Sequence, residues 1–237
     1  FCDKIIFNSE WTKRRFFLGL SKFYENSEKV EVIYQSTNKT KVNINKKEKI
    51  ITFVGKLNKS KGYDLFGKAI LKILNEFKDW KAFVFGDEPR EEIDFNHKNL
   101  KKLGYKSNEK VLNLLKRTSI AVACARWDEP FGRSSLEASS RGCAVIISNK
   151  GGLPETITDG IILNELSSNN VYKEIKNLIL NKKKRIKIQT NSLKNFYLDH
   201  KYISKKIDTY RVSFFEKIVN YKKKLKILHI TNFNERH

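Results

Sequence analysis

The chain has 237 residues, 40% of them hydrophobic and 12% aromatic, which allows one large domain or two small ones with a hydrophobic core. Basic residues outnumber acidic ones by 48 to 26, so the formal net charge is +22. An excess of this size favours an anionic partner, either a small anionic substrate or a polyanion or membrane surface. A general bias toward Lys, Ile and Asn would produce the same excess.

No apolar run reaches the roughly 18 residues of a membrane span, and no signal peptide is recognisable, which predicts a cytoplasmic location. Cys2, Cys124 and Cys143 show neither a CxxC pattern nor a paired spacing, and Cys124 and Cys143 lie in apolar runs, so we expect free thiols that are buried at these two positions. The four histidines are scattered without the spacing of metal ligands, which predicts no metal site. The chain opens on Phe1 in a strand-like run and contains no Met, so we expect its true start to lie upstream.

Short apolar runs alternate with longer helical patterns along the whole chain. The candidate strands are Lys4–Asn8, Val30–Tyr34, Ile50–Gly55, Lys81–Gly86, Ile120–Ala125, Ala144–Ser148, Gly160–Leu163 and 225–231. The candidate helices are Glu10–Leu18, Asp64–Phe77, Glu109–Lys116, Ser135–Arg141 and most of 169–221, with breaks near Asn181 and His200. Near-continuous apolar runs are typical of strands covered on both faces, so the alternation predicts an α/β fold with a doubly wound parallel sheet.

The segment Asp128–Ala138 carries most of the chemistry. It follows a candidate strand directly, which places it at the carboxyl edge of the sheet, where doubly wound sheets bind ligands. Gly132 lets a backbone come close to a ligand, and the helix after it, capped by Ser134 or Ser135, points its free N–H groups at the same place. Such a helix start suits a diphosphate.

Two glutamates bracket this turn, Glu129 on the loop and Glu137 on the first turns of the helix, so both can face one crevice. A carboxylate beside a helix start that receives an anion is badly placed to hold the phosphate itself. It can instead accept two hydrogen bonds from vicinal hydroxyls, such as those of a ribose or a hexose. The alternative is a solvated loop carboxylate and a helix-start carboxylate that the helix dipole stabilises.

The run from Glu129 to Glu137 resembles the two-glutamate signature of the retaining glycosyltransferases of the GT-B fold, family 4, also called glycosyl transferases group 1. Further segments resemble the same family in the same order, and together they extend the resemblance over residues 1 to 220. These segments are Phe53–Leu57, Lys61–Leu65, Leu103–Tyr105, Arg141–Ser148 and Gly151–Glu155. The chain has no Asp-x-Asp, which argues against the metal-dependent alternative glycosyltransferase fold, and no P-loop pattern.

The resemblance implies a role for each matching residue. Glu137 is expected to hold the ribose hydroxyls, and Glu129 is expected to be the catalytic residue that holds the hydroxyls of the donor sugar. The backbone N–H groups of Phe131, Gly132 and Arg133 are expected to meet the sugar and the diphosphate.

The same resemblance makes Lys56 and Lys61 the cations that neutralise the leaving diphosphate in place of a metal ion. Gly55, Ser134 and Tyr105 complete the expected donor-binding set, with Tyr105 near the nucleobase. The alternatives are solvated lysines and a tyrosine that packs against the sheet. The family usually has Arg at position 56, and a Lys there gives a point charge without the bidentate fork. The family's usual Asn-Gly after the hinge strand reads 35–36 Gln-Ser here.

For the whole chain, the resemblance implies the carboxyl-terminal, donor-binding part of a longer GT-B glycosyltransferase. Residues 1–40 are expected to be the end of the amino-terminal acceptor domain and the hinge, and residues 41–198 the Rossmann-like domain that binds the nucleotide sugar. Residues 199–222 are expected to form a closing helix. Residues 223–237 resemble a first Rossmann strand and its loop, and either begin a further tandem domain or add a strand to this one.

The implied reaction is transfer of a sugar from a nucleoside-diphosphate sugar to a saccharide or lipid-linked acceptor, with retention of configuration and without a metal or other cofactor. The expected location is the cytoplasm, including peripheral contact with the inner face of the membrane, and the chain alone is expected to bind donor without turnover. One alternative is a non-catalytic, nucleotide-binding Rossmann-like module. A polyanion-binding protein ranks below it, because no aromatic residues are interleaved with the lysines as a nucleic-acid platform requires, so no specific nucleic acid is expected.

Overall fold

The structure, a computed structural model, describes residues 2, 4–20, 25–221 and 227–230. The chain divides into two compact units. The larger unit is Lys39–Phe196, and the smaller one combines Phe1–Asn38 with Tyr197–His237. No helix within the described residues is both long and apolar enough to cross a membrane.

Strands and helices alternate as the sequence predicts. The strands are β1 (Lys4–Phe7), β2 (Val30–Val32), β3 (Glu48–Val54), β4 (Lys81–Phe85), β5 (Leu100–Lys102), β6 (Thr118–Ala123), β7 (Ala144–Ser148), β8 (Ile161–Leu163) and β9 (Ile227–Ile230). The helices are α1 (Glu10–Phe16), α2 (Tyr63–Glu76), α3 (Asn108–Arg117), α4 (Arg133–Ser139), α5 (Ser168–Leu180), α6 (Lys182–Asn195) and α7 (His200–Tyr221). Short 3-10 turns lie at Ile44–Lys46 and Leu153–Thr156.

The larger unit is built on one six-stranded sheet in the order β5-β4-β3-β6-β7-β8. Every neighbouring pair in this sheet is parallel. The strand order reverses between β3 and β6, so the chain leaves these two central strands toward opposite sides and opens a crevice at their carboxyl ends. The predicted doubly wound parallel sheet of an α/β fold is confirmed.

Apolar side chains cover both faces of this sheet, which explains why its strands are near-continuous apolar runs. On one face, α2 and α5 bury residues such as Ile70 and Ile175 in one cluster with Ile51 of β3. On the other face, α3 and α4 bury Leu115 and Ala138. The two layers hold the central strands rigidly, and therefore also the loops that leave their carboxyl ends.

The smaller unit has a three-stranded parallel sheet in the order β2-β1-β9. Helix α1 begins at a capping box. The Ser9 side chain accepts a hydrogen bond from the backbone N–H of Thr12, and the Thr12 side chain accepts one from the backbone N–H of Ser9. Strand β9 pairs with β1, so this part of the predicted 223–237 segment adds to the sheet of the smaller unit. Residues 223–226 and 231–237 lie outside the described residues, and a tandem domain there stays a prediction.

Two details differ from the sequence-based expectations. Neither Ser134 nor Ser135 caps α4, because the helix begins at Arg133, two residues earlier than predicted, with Gly132 as its N-cap in the left-handed region and no side-chain cap. Strand β5 was not predicted at all. It is a three-residue edge strand with two exposed lysines, and it lacks the apolar run by which the other strands are recognised.

Candidate functional site

A cavity of about 370 Å³ opens at the carboxyl ends of β3 and β6, where the strand order of the large sheet reverses. Doubly wound sheets bind their ligands at this switch point. The cavity is lined by Phe53, Val54, Gly55, Lys61, Asn108, Ala123, Ala125, Glu129, Gly132, Arg133, Ser134, Glu137 and Leu153. Its walls combine five apolar side chains with two basic and two acidic ones.

The loop between β3 and α2 brings Lys61 to the cavity. The Asn58 side chain accepts a hydrogen bond from the backbone N–H of Lys61 at 2.9 Å, which closes a tight turn. Gly62 follows at φ +74°, and a Cβ there would lie 1.9 Å from the carbonyl oxygen of Cys124. Only glycine therefore lets this loop pack directly on the end of β6.

A second anchor holds the same loop from the β6 side. Arg126 donates to the backbone carbonyl of Lys59 at 2.7 Å, and its guanidinium binds both carboxylate oxygens of Asp64 at 2.5 and 2.7 Å. Partial burial alone would raise the pKa of Asp64, but the hydrogen bonds and charge of Arg126 outweigh it and lower that pKa. Asp64 therefore stays ionised at neutral pH and keeps the bidentate pair closed.

An ion pair inside the cavity joins the loop after β3 to the loop after β6. The ammonium of Lys61 binds Oε1 of Glu129. It also lies 5.0 Å from the centre of the Trp127 ring, within the range of a cation–π interaction. The side chains of Lys61 and Glu129 are only 27% and 13% exposed, so the pair is partly shielded from water.

The position of Glu129 is set by a glycine turn after β7. The backbone N–H of Gly152 donates to the carbonyl of Glu129 at 2.6 Å. Gly151, at φ +58°, approaches so closely that a Cβ there would lie 2.1 Å from the same carbonyl oxygen. These contacts with the turn thus fix the backbone position of Glu129.

Glu137 lies on α4 with its side chain 7% exposed. Its Oε1 accepts a hydrogen bond from the Asn108 side chain at 2.9 Å and a longer one from Arg133 at 3.3 Å. Both donors converge on the same oxygen, which leaves the acceptor capacity of Oε2 for a ligand. Arg133 also stands at the start of α4, where the first backbone N–H groups of the helix have no intrahelical partner.

Seven of the ten predicted site residues line this one cavity: Gly55, Lys61, Glu129, Gly132, Arg133, Ser134 and Glu137. The other three do not line it. Lys56 is exposed on the loop after β3, Tyr105 is 79% exposed beyond β5, and Phe131 is buried in the protein.

Asn108 lines the cavity but was not predicted. It is the first residue of α3, and in the sequence the Ser-Asn pair at 107–108 indicates only the start of a helix. The signal that could have found it is topological, because α3 follows β5 and therefore begins at the same edge of the sheet.

The cysteines fit the sequence-based expectation of free thiols, since Cys124 and Cys143 are buried and no cysteine is bonded to another in the described residues. Burial raises the pKa of Cys124 to about 12, so its thiol is not a nucleophile. In the part of the chain that the structure describes, no group of three or more His, Cys, Asp or Glu side chains is arranged to hold a metal ion.

Solved structures share this fold. The Anabaena protein Alr3699/HepE in complex with UDP and glucose superposes with a TM-score of 0.74 at 20% identity, covering 90% of this chain and 64% of that one. The carboxyl-terminal domain of a glycosyl transferase group 1 family protein (LpcC) from Francisella tularensis gives a TM-score of 0.55 at 26% identity, covering 68% of this chain and 92% of that domain. The resemblance to GT-B glycosyltransferases is thereby confirmed at the level of the fold.

Curated relatives match over part of their length. Spore coat protein SA of Bacillus subtilis is 29% identical over 155 residues, which covers 58% of this chain and 41% of that protein. An uncharacterized glycosyltransferase of Methanocaldococcus jannaschii, MJ1607, is 29% identical over 160 residues, covering 58% and 40%. The chain thus spans less than half the length of these relatives. The sequence model described as Glycosyl transferases group 1 matches residues 34–195, more than half of the chain, and the chain belongs to that family.

Proposed function

We propose that the cavity between β3 and β6 binds a nucleoside-diphosphate sugar, and that the sugar is transferred from it to an acceptor with retention of configuration. The observation that carries the proposal is the convergence of Lys61, Glu129, Arg133 and Glu137 on one cavity at the switch point of the sheet, in a chain of the glycosyl transferases group 1. UDP-glucose is bound by the Anabaena neighbour, which supports this class of donor.

The roles follow from charge and hydrogen-bonding capacity. One carboxylate oxygen of Glu137 accepts from Asn108 and Arg133, and the other accepts no hydrogen bond from the residues that the structure describes, which suits the hydroxyls of a ribose. Glu129, whose carboxylate lies beside the ammonium of Lys61, accepts hydrogen bonds from the hydroxyls of the sugar. Gly132 and the start of α4 offer backbone N–H groups to the diphosphate and sugar, with Ser134 beside them and Gly55 at the end of β3 opposite.

Catalysis in this site is electrostatic and positional. When the sugar leaves, negative charge develops on the diphosphate, and a nearby ammonium stabilises that charge more in the transition state than in the ground state. Lys61 is placed in the cavity for this role, and exposed Lys56 can add long-range charge from the loop after β3. We therefore propose transfer without a metal ion or other cofactor.

The acceptor side is proposed only as a chemical class. A saccharide or lipid-linked saccharide is the expected acceptor, with transfer in the cytoplasm or at the inner face of the membrane and no specific nucleic acid as a partner. Tyr105, which is 79% exposed beyond β5, is proposed to meet the nucleobase when donor binds. Phe131, which is buried, contributes through its backbone N–H.

A thermal-shift panel tests donor binding. UDP-, GDP- and ADP-sugars are added to the chain, each with and without EDTA and with and without Mg²⁺. A nucleotide sugar at 100 times its dissociation constant should add about 2.7 kcal/mol of stability. We expect one nucleotide class to stabilise the chain equally with EDTA and with Mg²⁺. Stabilisation by none of the three classes contradicts the donor site, and stabilisation only with Mg²⁺ contradicts metal independence.

A further inference from the structure

Inside the cavity, Lys61 and Glu129 are bound to each other. We propose that donor binding exchanges this ion pair: the diphosphate takes the ammonium of Lys61, and the carboxylate of Glu129 turns to the hydroxyls of the sugar. This inference rests on the proposed donor site and adds to it a means of telling the intact donor from the spent nucleoside diphosphate.

The two groups cannot serve the ligand while they serve each other. An ammonium that points its donors at a carboxylate has fewer left for phosphate oxygens, and the carboxylate repels a diphosphate at the same place. Lys61 and Glu129 are both partly shielded from water, so the solvent does not loosen the pair as it would on an open surface. Among the described residues, Glu129 is also the only carboxylate ion-paired with Lys61.

The lysine stays in place when its partner leaves, because other contacts fix it. Its backbone N–H is held by Asn58, and its ammonium lies against the face of Trp127. Trp127 is 39% exposed and does not line the cavity, so a ligand need not displace it. The exchange therefore moves only the carboxylate of Glu129.

Glu137 provides an internal contrast. Its Oε1 takes the hydrogen bonds of Asn108 and Arg133, and neither bond blocks Oε2. A ribose can therefore bind Glu137 without breaking an existing contact of that open oxygen. Only the Lys61–Glu129 pair, on the sugar side of the cavity, has to be broken when the donor binds.

The consequence is discrimination between substrate and product. A nucleoside diphosphate without its sugar breaks the Lys61–Glu129 pair and leaves Glu129 partly buried with no replacement partner, which is costly. A donor that carries its sugar supplies hydroxyl donors to the released carboxylate and offsets that cost. After transfer, the pair re-forms and helps to expel the nucleoside diphosphate.

The test compares UDP with UDP-glucose, or the corresponding pair for the nucleotide that the thermal-shift panel selects, by isothermal titration calorimetry on the 237-residue chain. In Glu129→Gln, no opposite charge holds Lys61, so UDP should bind about fivefold more tightly than to the wild type, as expected for removing one partly shielded ion pair. UDP-glucose should bind no more tightly, because it loses the charge of the carboxylate that its hydroxyls would meet.

Two comparisons separate the exchange from general electrostatics. Asp128→Asn removes the same charge from an exposed neighbour that does not line the cavity, and it should leave both affinities within about twofold. In a Lys61→Ala background, where no ion pair exists to break, Glu129→Gln should tighten UDP by no more than about twofold. Lys59→Ala, two positions away on the same loop, is the matched control for loss of a lysine.

The outcomes are distinct. Tighter UDP in Glu129→Gln that depends on Lys61 supports the exchange. If UDP binds equally or more weakly to Glu129→Gln while the wild type binds both ligands, the exchange is overturned and the donor site stands. If the wild type binds no nucleotide or nucleotide sugar, the proposed function fails and the exchange fails with it.

Discussion

Substitution of Gly151 by Ala should destroy the placement of Glu129 without unfolding the sheet. The backbone at Gly151 has φ +58°, and an added Cβ would lie 2.1 Å from the oxygen and 2.5 Å from the nitrogen of Glu129. A side chain in the left-handed region costs about 1–2 kcal/mol, and relief of the overlap by a backbone shift costs about 1–3 kcal/mol more. The total of about 2–5 kcal/mol lowers Tm by roughly 4–20 °C for a chain of this size.

The substitution should also weaken ligand binding. Since neither overlapping atom belongs to a flexible side chain, the Glu129 loop itself must move, and the 2.6 Å hydrogen bond from Gly152 to its carbonyl is lost or bent. Loss of the charge-assisted hydrogen bonds of Glu129, at about 1.5–3 kcal/mol, weakens binding of UDP-glucose roughly 10- to 150-fold. Calorimetric titration below the lowered Tm measures this loss directly.

Gly104→Ala is the matched control. Gly104 has φ +64°, but no atom lies within 4 Å of the added Cβ, so the substitution carries the backbone strain without the overlap. We expect the free energy of unfolding to fall by only about 1–2 kcal/mol, and Tm to fall correspondingly less. UDP-glucose binding should be preserved. Wild-type affinity in Gly151→Ala, or equal loss of affinity in both variants, would refute the link between the glycine turn and Glu129.

Three further predictions concern neighbouring groups. Glu137→Ala should weaken UDP and UDP-glucose alike, by roughly 10- to 150-fold in calorimetry, because both ligands carry the ribose; loss confined to UDP-glucose would contradict the ribose role. Asn108→Ala removes one hydrogen bond to Glu137 and should weaken UDP about fivefold, whereas unchanged affinity would leave Asn108 without a positioning role. In the native chain at pH 8, a thiol reagent should modify Cys2 and spare Cys124 and Cys143, whose pKa values are raised by burial; fast reaction of all three would contradict that burial.

The fold was predictable because the central strands can be recognised in the sequence as apolar runs. Runs such as Ala144–Ile147 are buried and apolar at every position and are bounded by turn residues, so their existence and their two covered faces follow from the sequence. The edge strand Leu100–Lys102 could not be found in this way. Its backbone hydrogen bonds to β4, not its side chains, make it a strand.

From the residues alone, the site was predictable only where the chain itself brings residues together, and the family resemblance was needed to add Gly55 and Lys61 from another strand. Glu129 and Glu137 lie on one turn, and the motif places both beside the sheet edge. The contact of Glu129 with Lys61 joins residues on loops after different strands, and that of Glu137 with Asn108 joins two helices. Periodicity carries no information on such pairs, because they depend on the parallel order of β3 and β6 and on a strand that periodicity does not reveal.

The pairing of charges in the cavity also bears on the meaning of the net charge of +22. A site for a simple polyanion would present cations that are free to meet phosphates. The described charged side chains that line this cavity are two cations and two carboxylates, and each cation is bound to a carboxylate, Lys61 to Glu129 and Arg133 to Glu137. A ligand that offers only negative charge must break the Lys61–Glu129 pair and leaves Glu129 without a replacement partner, whereas Glu137 keeps its hydrogen bond from Asn108. A ligand that offers phosphates together with hydroxyls supplies partners to both Lys61 and Glu129, which favours the proposed nucleotide sugar over a bare phosphate backbone.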